Sequence, residues 1–398
     1  YGFMFGKFTV PGLTDLPDSK GNSEMAVSYS LLDNLSWFRG RHTLKFGGEV
    51  RRIHANVGWT SATSASFASV NDFVNNRLDS LSIDAAMATR GGRRTLLFGY
   101  AQDELKATRT LTLNLGVRYE YYSVMKEVKD RILVFDTKIG NFAPPGTPPY
   151  KPDWDNIAPR FSFAWAPDRL KQQTVFRGGY GVYYGPGQFD DMMGAIDSTQ
   201  EKFKLTAKDA PGLSFPLEAF IPQAKAQGLT PRHMAPNRRD MYTQHWGLSI
   251  QQMLPAAFTM QVGYVANNAH KILSRTYLNL IDPATGKRPW PTFGQFDSRG
   301  DDGNSNFNAM QISLKRRMTN GLMWQTEYMW GHSLNDGMIG GGESVAPQNV
   351  NNRRAEKADS DYDIRHTITT NVFWNLPFGP GQRFLRWSGM PGKVVGGW

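Results

Sequence analysis

Cysteine is absent from all 398 residues. Disulfide frameworks, thiolate nucleophiles and Cys-ligated zinc are thereby excluded. No apolar run approaches the ~18 residues of a membrane helix, and mean hydropathy is −0.46. A helical membrane protein is excluded on both counts. Charge is sparse, at 20% of residues, and no long Lys/Arg tract accompanies the net charge of +10. Nucleic acid is therefore not the expected partner; exposed Arg and Lys suit surface polyanions such as lipopolysaccharide better. The seven histidines (His42, His54, His233, His245, His270, His332 and His366) are dispersed, and neither an HExxH pair nor a GxSxG elbow occurs. No catalytic, cofactor-binding or metal site is expected, and the chain does not read as an enzyme. The chain begins inside an alternating segment and stops as another begins near Val394–Trp398, so it reads as an internal piece of a longer protein.

What is abundant is alternation. Residues 109–124 read RTLTLNLGVRYEYYSV. Leu111, Leu113, Leu115, Val117, Tyr119 and Tyr121 occupy one parity; Thr112, Asn114, Gly116, Arg118, Glu120 and Tyr122 occupy the other. A strand places each set on one face, whereas a helix scatters both. The same period recurs at 42–50, 157–166, 174–184, 246–251, 258–264, 310–315, 322–330 and 364–374. With 1–10, 25–38 and 94–106, about twelve strands are predicted. Helical spacing is confined to 67–82, FASVNDFVNNRLDSLS, with Ser69 as its N-cap.

The connections alternate in length. Short turns lie at 38–41, 106–109, 167–172, 254–257 and 319–321. Long connections, rich in Gly, Pro, Asn and Asp, lie at 53–93, 125–155, 186–240, 268–305 and 334–360. Long structureless loops at every second connection are unusual in a compact soluble domain. An antiparallel transmembrane β-barrel accounts for them, with short periplasmic turns, long extracellular loops and apolar-out, polar-in strands. The fold class is therefore all-β, a partial transmembrane barrel with one short loop helix, in the outer membrane of a Gram-negative cell. Tyr119, Tyr121, Tyr122, Tyr183, Tyr184, Tyr264, Tyr328 and Trp330 would form the upper aromatic girdle, and Trp37, Phe38 and Trp165 the lower one.

The opposite parity is polar. Arg51, Arg118, Glu120, Arg160, Arg177, Gln325, Glu327 and Arg365 would face the lumen with Lys45, Glu49, Gln251 and Lys315. They serve either contacts with a domain filling the barrel or a solute pathway. Among loop aromatics, Trp59, Trp154, Tyr242 and Trp290, with Phe293, could stack on sugars or other flat ligands, or simply pack the loops. Asp359, Asp361 and Asp363, and a second group of Asp297, Asp301, Asp302, Asn304 and Asn306, offer oxygens that suit Ca²⁺. Solvated turns and a salt bridge to Arg365 explain the first group equally.

Several segments resemble the Oar-like branch of TonB-dependent receptors. They are RHTLKFGGEVRR (41–52), FVNNRLDSLS (73–82), FGYAQDELKATRTLTLNLGVRYEYY (98–122), NIAPRFSFAWAP (156–167), TVFRGGYGVYYGPG (174–187) and DSDYDIRHTITTNVFWNLPFGPG (359–381). The 98–122 hairpin is the most specific. The resemblance implies a barrel of about 22 strands, an N-terminal plug, coupling to the TonB complex and movement of a bulky solute, carbohydrate or peptide. Residues 1–398 would be part of that single barrel domain, without the plug, its TonB box and the closing strands. The alternative is a surface-interaction, adhesin-like barrel that presents binding loops.

Overall fold

The computed structural model describes residues 5–15, 22–59, 62–187, 198, 201–227, 229–337, 346–378, 383–387 and 389–395. Among these, eleven long strands form one antiparallel wall. They are β1 (Asn22–Arg39), β2 (His42–Trp59), β3 (Met87–Lys106), β4 (Leu111–Tyr122), β5 (Ile157–Trp165), β6 (Thr174–Gly185), β7 (Met241–Met253), β8 (Phe258–Leu278), β9 (Phe296–Thr319), β10 (Leu322–Asn335) and β11 (His366–Trp374). Each pairs with its neighbours in sequence, and three short strands bring the sheet to 14. The wall is an open meander whose edges are β1 and β11.

Parity determines the two faces as expected. Leu115 is 47% exposed on the outer face, with Val117 and Tyr119 beside it, whereas Glu120 and Tyr122 are buried on the inner one. Leu115 lies opposite Phe161, which lies opposite Tyr180, so one outward row crosses three strands. Trp37, Phe38 and Trp165 are exposed at the lower ends and Tyr264 and Trp330 toward the upper ends. Two residues expected in the upper girdle face inward instead. The Tyr122 hydroxyl donates to Glu120, and Arg160 lies 4.5 Å over the Tyr183 ring. In each case the ring covers a cation or supports a carboxylate, for which the inner parity is required.

Four other expectations are corrected. The described part of 1–10, residues 5–10, does not supply a wall strand. Phe5–Thr9 pairs in parallel with Ala62–Ser66, in a separate five-stranded sheet completed by Ser80–Asp84, Lys202–Thr206 and Lys225–Ala226. Its apolar residues reach a core of Val10, Phe67, Leu78, Leu81, Leu205 and Leu213 rather than lipid. The helix is only α1 (Val70–Val74), capped by the Ser69 hydroxyl accepting from the Asp72 N–H. It ends because Asn76 is left-handed (φ 53°) and its side-chain amide bonds the backbone of Phe215 at 2.7 and 3.0 Å. The 268–305 segment is mostly strand, since β8 runs to Leu278 and β9 starts at Phe296. At 24 residues β9 is well over twice the ~10 needed to cross a bilayer, so the wall continues beyond it. Finally, Gly389–Val395 forms a helix, α2, where a further strand was expected to begin; Gly396–Trp398 lie outside the described residues.

The short turns share one end of the wall and the long connections the other. The absence of native cysteine allows a clean test of orientation. Ile281→Cys, in the exposed β8–β9 connection, should react with a membrane-impermeant thiol reagent on intact cells. Thr108→Cys, in the β3–β4 turn, should react only after lysis; the reverse pattern would invert the topology.

Candidate functional site: the inner wall and the mouth

The inner face carries three polar groups of different character. In the first, Arg51 donates to Glu49 and Arg118 to Glu120, each at 2.7 Å. Both guanidinium groups lie over the Phe98 ring, at 6.0 and 4.8 Å. Strands β2, β3 and β4 bring these residues together, since Glu49 is opposite Phe98 and Phe98 opposite Glu120. The cations here are already matched by carboxylates.

The second group lies across β5 to β8, around a groove of about 550 Å³. Arg160 and Arg177 line it with Asn114, Tyr183, His245 and Gln261. Arg177 donates to the Gln251 side chain at 2.7 Å, a neutral acceptor. Arg160 lies on an aromatic face, and its Nε is buried without a hydrogen-bond acceptor. Gly179 and Gly181 leave the inner side of this part of β6 nearly bare; a Cβ on Gly179 would come within 3.1 Å of the Phe161 carbonyl. The expected residues Gln325 and Glu327 form a third, separate group. Gln325 donates to Glu327 at 2.9 Å, and Lys315 lies 3.2 Å from it. Arg365 is at the loop end, paired with Asp359 at 2.9 Å and Asp363 at 2.5 Å.

The loop aromatics are mostly structural. Trp290 packs against Phe135 and Phe296 in a cluster that joins the β4–β5 and β8–β9 connections. Tyr242 is not in a loop but in β7, between Tyr184 and His270 on the neighbouring strands. Trp154 is 59% exposed but stacked on Tyr121 at 4.0 Å. Trp59 ends β2, and its side chain lies outside the described set. Of the acidic groups, His332, Asp359 and Asp363 bring ligand atoms within 4.8 Å of one another, without Asp361. Arg365 already bonds both of those aspartates. The group around Asp297 is in β9, not a loop: Asp297 pairs with Arg232 and Arg275, Asp301 with Lys271, and Asp302 with Arg353. Arginine and lysine therefore supply the counter-charge that a cation would.

A buried ionic layer at the mouth escaped the sequence reading. Asp240 is paired with Arg238 at 3.5 Å and accepts from Asn156 at 3.0 Å; all three are nearly or fully buried. The Asp240 N–H donates to Asp153, which pairs with Arg239. Burial pushes the Asp240 carboxyl up, against Arg238 and the Asn156 amide. Arg94, 1% exposed, donates to the carbonyls of Ser123 and Pro186, tying two loops to β3. Arg238 and Asp240 are two positions apart, but the other contacts that build the layer span 29 to 92 positions, and no local pattern signals those.

Glu127 is a second latch. Burial alone would raise its carboxyl, but the Arg131 guanidinium and the N–H groups of Gly91, Arg131 and Lys129 hold it down at about 2. Its stabilisation, about 3 kcal/mol, is present above its ordinary value of 4.5 and lost as pH falls from there to about 2. Limited proteolysis of the 126–131 turn should accelerate over that window. Arg131→Ala should raise the lower end of that window toward 4.5 and leave the turn more protease-sensitive already at neutral pH.

A family model described as outer membrane beta barrel domain matches residues 2–398. The chain belongs to this family. It is thus a barrel protein of the Gram-negative outer membrane, and its fold agrees with that of TonB-dependent receptors. No curated protein matches the chain in sequence. Among solved structures, the outer membrane transporter YddB from Escherichia coli superposes with a TM-score of 0.56 at 14% identity, over 92% of this barrel chain and 43% of the transporter. The siderophore receptor PiuA from Acinetobacter baumannii gives 0.49 at 10% identity, over 89% and 44%. P. aeruginosa FpvA, solved with heterologous pyoverdines, gives 0.48 at 11% identity, over 92% and 39%. The barrel chain spans less than half the length of each.

Proposed function

We propose that residues 1–398 form part of a single TonB-dependent receptor-like barrel domain that admits a bulky polar solute, carbohydrate or peptide, across the outer membrane. Energy would come from the TonB complex, through a plug region N-terminal to this wall. The observation that carries this reading is the inner face. Arg160 and Arg177 line a groove where their partners among the described residues are neutral, while the neighbouring Arg51 and Arg118 are neutralised by Glu49 and Glu120. A wall that leaves some cations unmatched favours anionic groups on whatever passes or fills it. We read the chain as non-catalytic, and lipopolysaccharide as its neighbour in the outer leaflet.

The test is uptake by cells that express the full-length protein, given labelled oligosaccharides and oligopeptides. Accumulation should collapse on addition of a protonophore, and Arg160→Glu with Arg177→Glu should lower it roughly tenfold. Accumulation that survives the protonophore would make the barrel a passive pore. No accumulation, with loss of cell adhesion on gene deletion, would favour the surface-interaction reading instead.

A further inference from the structure

A basic groove lies on the outer side of the wall, at its upper end. Strand register builds it in three outward rows. The lowest, Leu31–Val50–Leu97–Tyr121, is apolar and belongs to the lipid-facing band. One row higher, ~7 Å along the strands, come Tyr29, Arg52 and Thr95, where Arg52 donates to the Thr95 hydroxyl at 2.6 Å. The next row aligns His54, Arg93 and Lys126. Thus the face changes from hydrocarbon-compatible to cationic within two rows.

Loop residues 148–152 and Pro236 wall off the space above, leaving a groove of about 800 Å³ that Arg52, Arg93, Lys126 and Lys151 line. Among the described residues none of these four is ion-paired to a carboxylate, whereas the mouth arginines Arg131, Arg238, Arg239 and Arg275 all are. Arg93 spends its contacts on neutral acceptors, the Asn56 side chain and the Gly92 carbonyl. Aromatic residues flank the same level: Trp154 stacks on Tyr121, and Tyr29 meets the His54 ring edge-on at 5.3 Å. Rings of this kind settle at the boundary between hydrocarbon and head groups.

Four uncompensated cations directly above an apolar band, beside an aromatic girdle, match an anionic head group whose acyl chains run down the band. We propose that this groove seats the phosphorylated sugar head group of an outer-leaflet lipid. Arginine and lysine would hold the phosphates, and the prolines of the loop wall would pack the sugar face. The inference rests on the outward orientation of the loops, which the Ile281→Cys labelling reads independently.

The test uses the full-length protein in phosphatidylcholine nanodiscs, titrated with diphosphorylated lipid A and read by native mass spectrometry. The wild-type protein should bind it in preference to dephosphorylated lipid A. Removing a cation should weaken binding about fivefold, so Arg52→Ala with Arg93→Ala should weaken it about thirtyfold. Arg52→Lys with Arg93→Lys should retain most of the affinity, since both charges are kept. Lys126→Gln with Lys151→Gln provides a second pair, remote from the Thr95 and Asn56 bonds, should the first disturb folding. Wild-type affinity in either folded pair would overturn the proposal. Inorganic phosphate alone displacing lipid A at equal concentration would also overturn it, since the groove would then be a site for soluble anions. Binding in nanodiscs does not depend on which way the protein inserts in cells, so loss here and inverted cysteine labelling are separate failures.

Discussion

Asp240→Ala should destabilise the barrel by about 3–5 kcal/mol, because it leaves Arg238 charged, buried and unpaired. Asp240 and Arg238 are each about 4% exposed, and Arg238 is further enclosed by the Tyr150 ring at 4.6 Å. Asn156, fully buried, would lose its acceptor in the same step. The decisive comparison is Asp240→Ala combined with Arg238→Met. Removing both charges abolishes the uncompensated cation and should restore more than half of the loss. What remains is the unpaired Asn156 amide, about 1–3 kcal/mol. Unfolding in lipid, followed by strand content and by protease access to 123–156, would measure both. Equal costs for the single and double variants would mean that the pair contributes no coupling and that Asp240 acts through packing alone.

Leu115→Arg should cost about 2–4 kcal/mol, the penalty for a cation near the bilayer midplane. Leu115 is midway along β4 on the exposed face, in the row with Phe161 and Tyr180. The side chain has no short route to either interface, so snorkelling relieves little. Leu111→Arg, beside the periplasmic turn, should cost less than about 1 kcal/mol on the same grounds. Asn114→Arg reverses the face rather than the depth. It projects into the inner groove beside Arg160, where water is available, and should change stability by less than about 1 kcal/mol. A refolding titration in lipid vesicles would separate the three; equal penalties at 114 and 115 would contradict the assignment of the two faces.

The wall was readable because strand parity is a local property. Each residue of 109–124 declares its face by its position, and the rule needs no knowledge of the partner strand. The short and long connections were readable for the same reason, as composition. The errors arose where alternation or helical spacing was served by something other than lipid. Phe8 and Val10 alternate as a wall strand would, but a loop core absorbed them. Leu78 and Leu81 keep helical spacing from Phe67, yet Asn76 stops the helix, and Leu78 enters that core from the segment after it and Leu81 from the Ser80–Asp84 strand. Tyr122 and Tyr183 looked like girdle residues by type, although their contacts required the inner face.

Sequence alone therefore determined the fold class, the two faces of each strand, the end that carries the loops and the membrane in which the chain belongs. All of these follow from period-2 hydrophobicity and from backbone groups that hydrocarbon leaves no alternative but to pair. Only the tertiary structure decided which charges are matched and which are free. Arg118 and Arg160 have the same parity and the same chemistry in sequence. A carboxylate two residues on, Glu120, matches the first within its own strand; that the second rests on a tyrosine ring without such a match emerges only in the assembled sheet. Likewise Arg52 and Arg93 reach one outward groove, with Lys126 and Lys151, only because β2, β3 and the following loop align there. Electrostatic pairing is a matter of a few ångströms between segments distant in sequence, and that distance exists only once the sheet has formed.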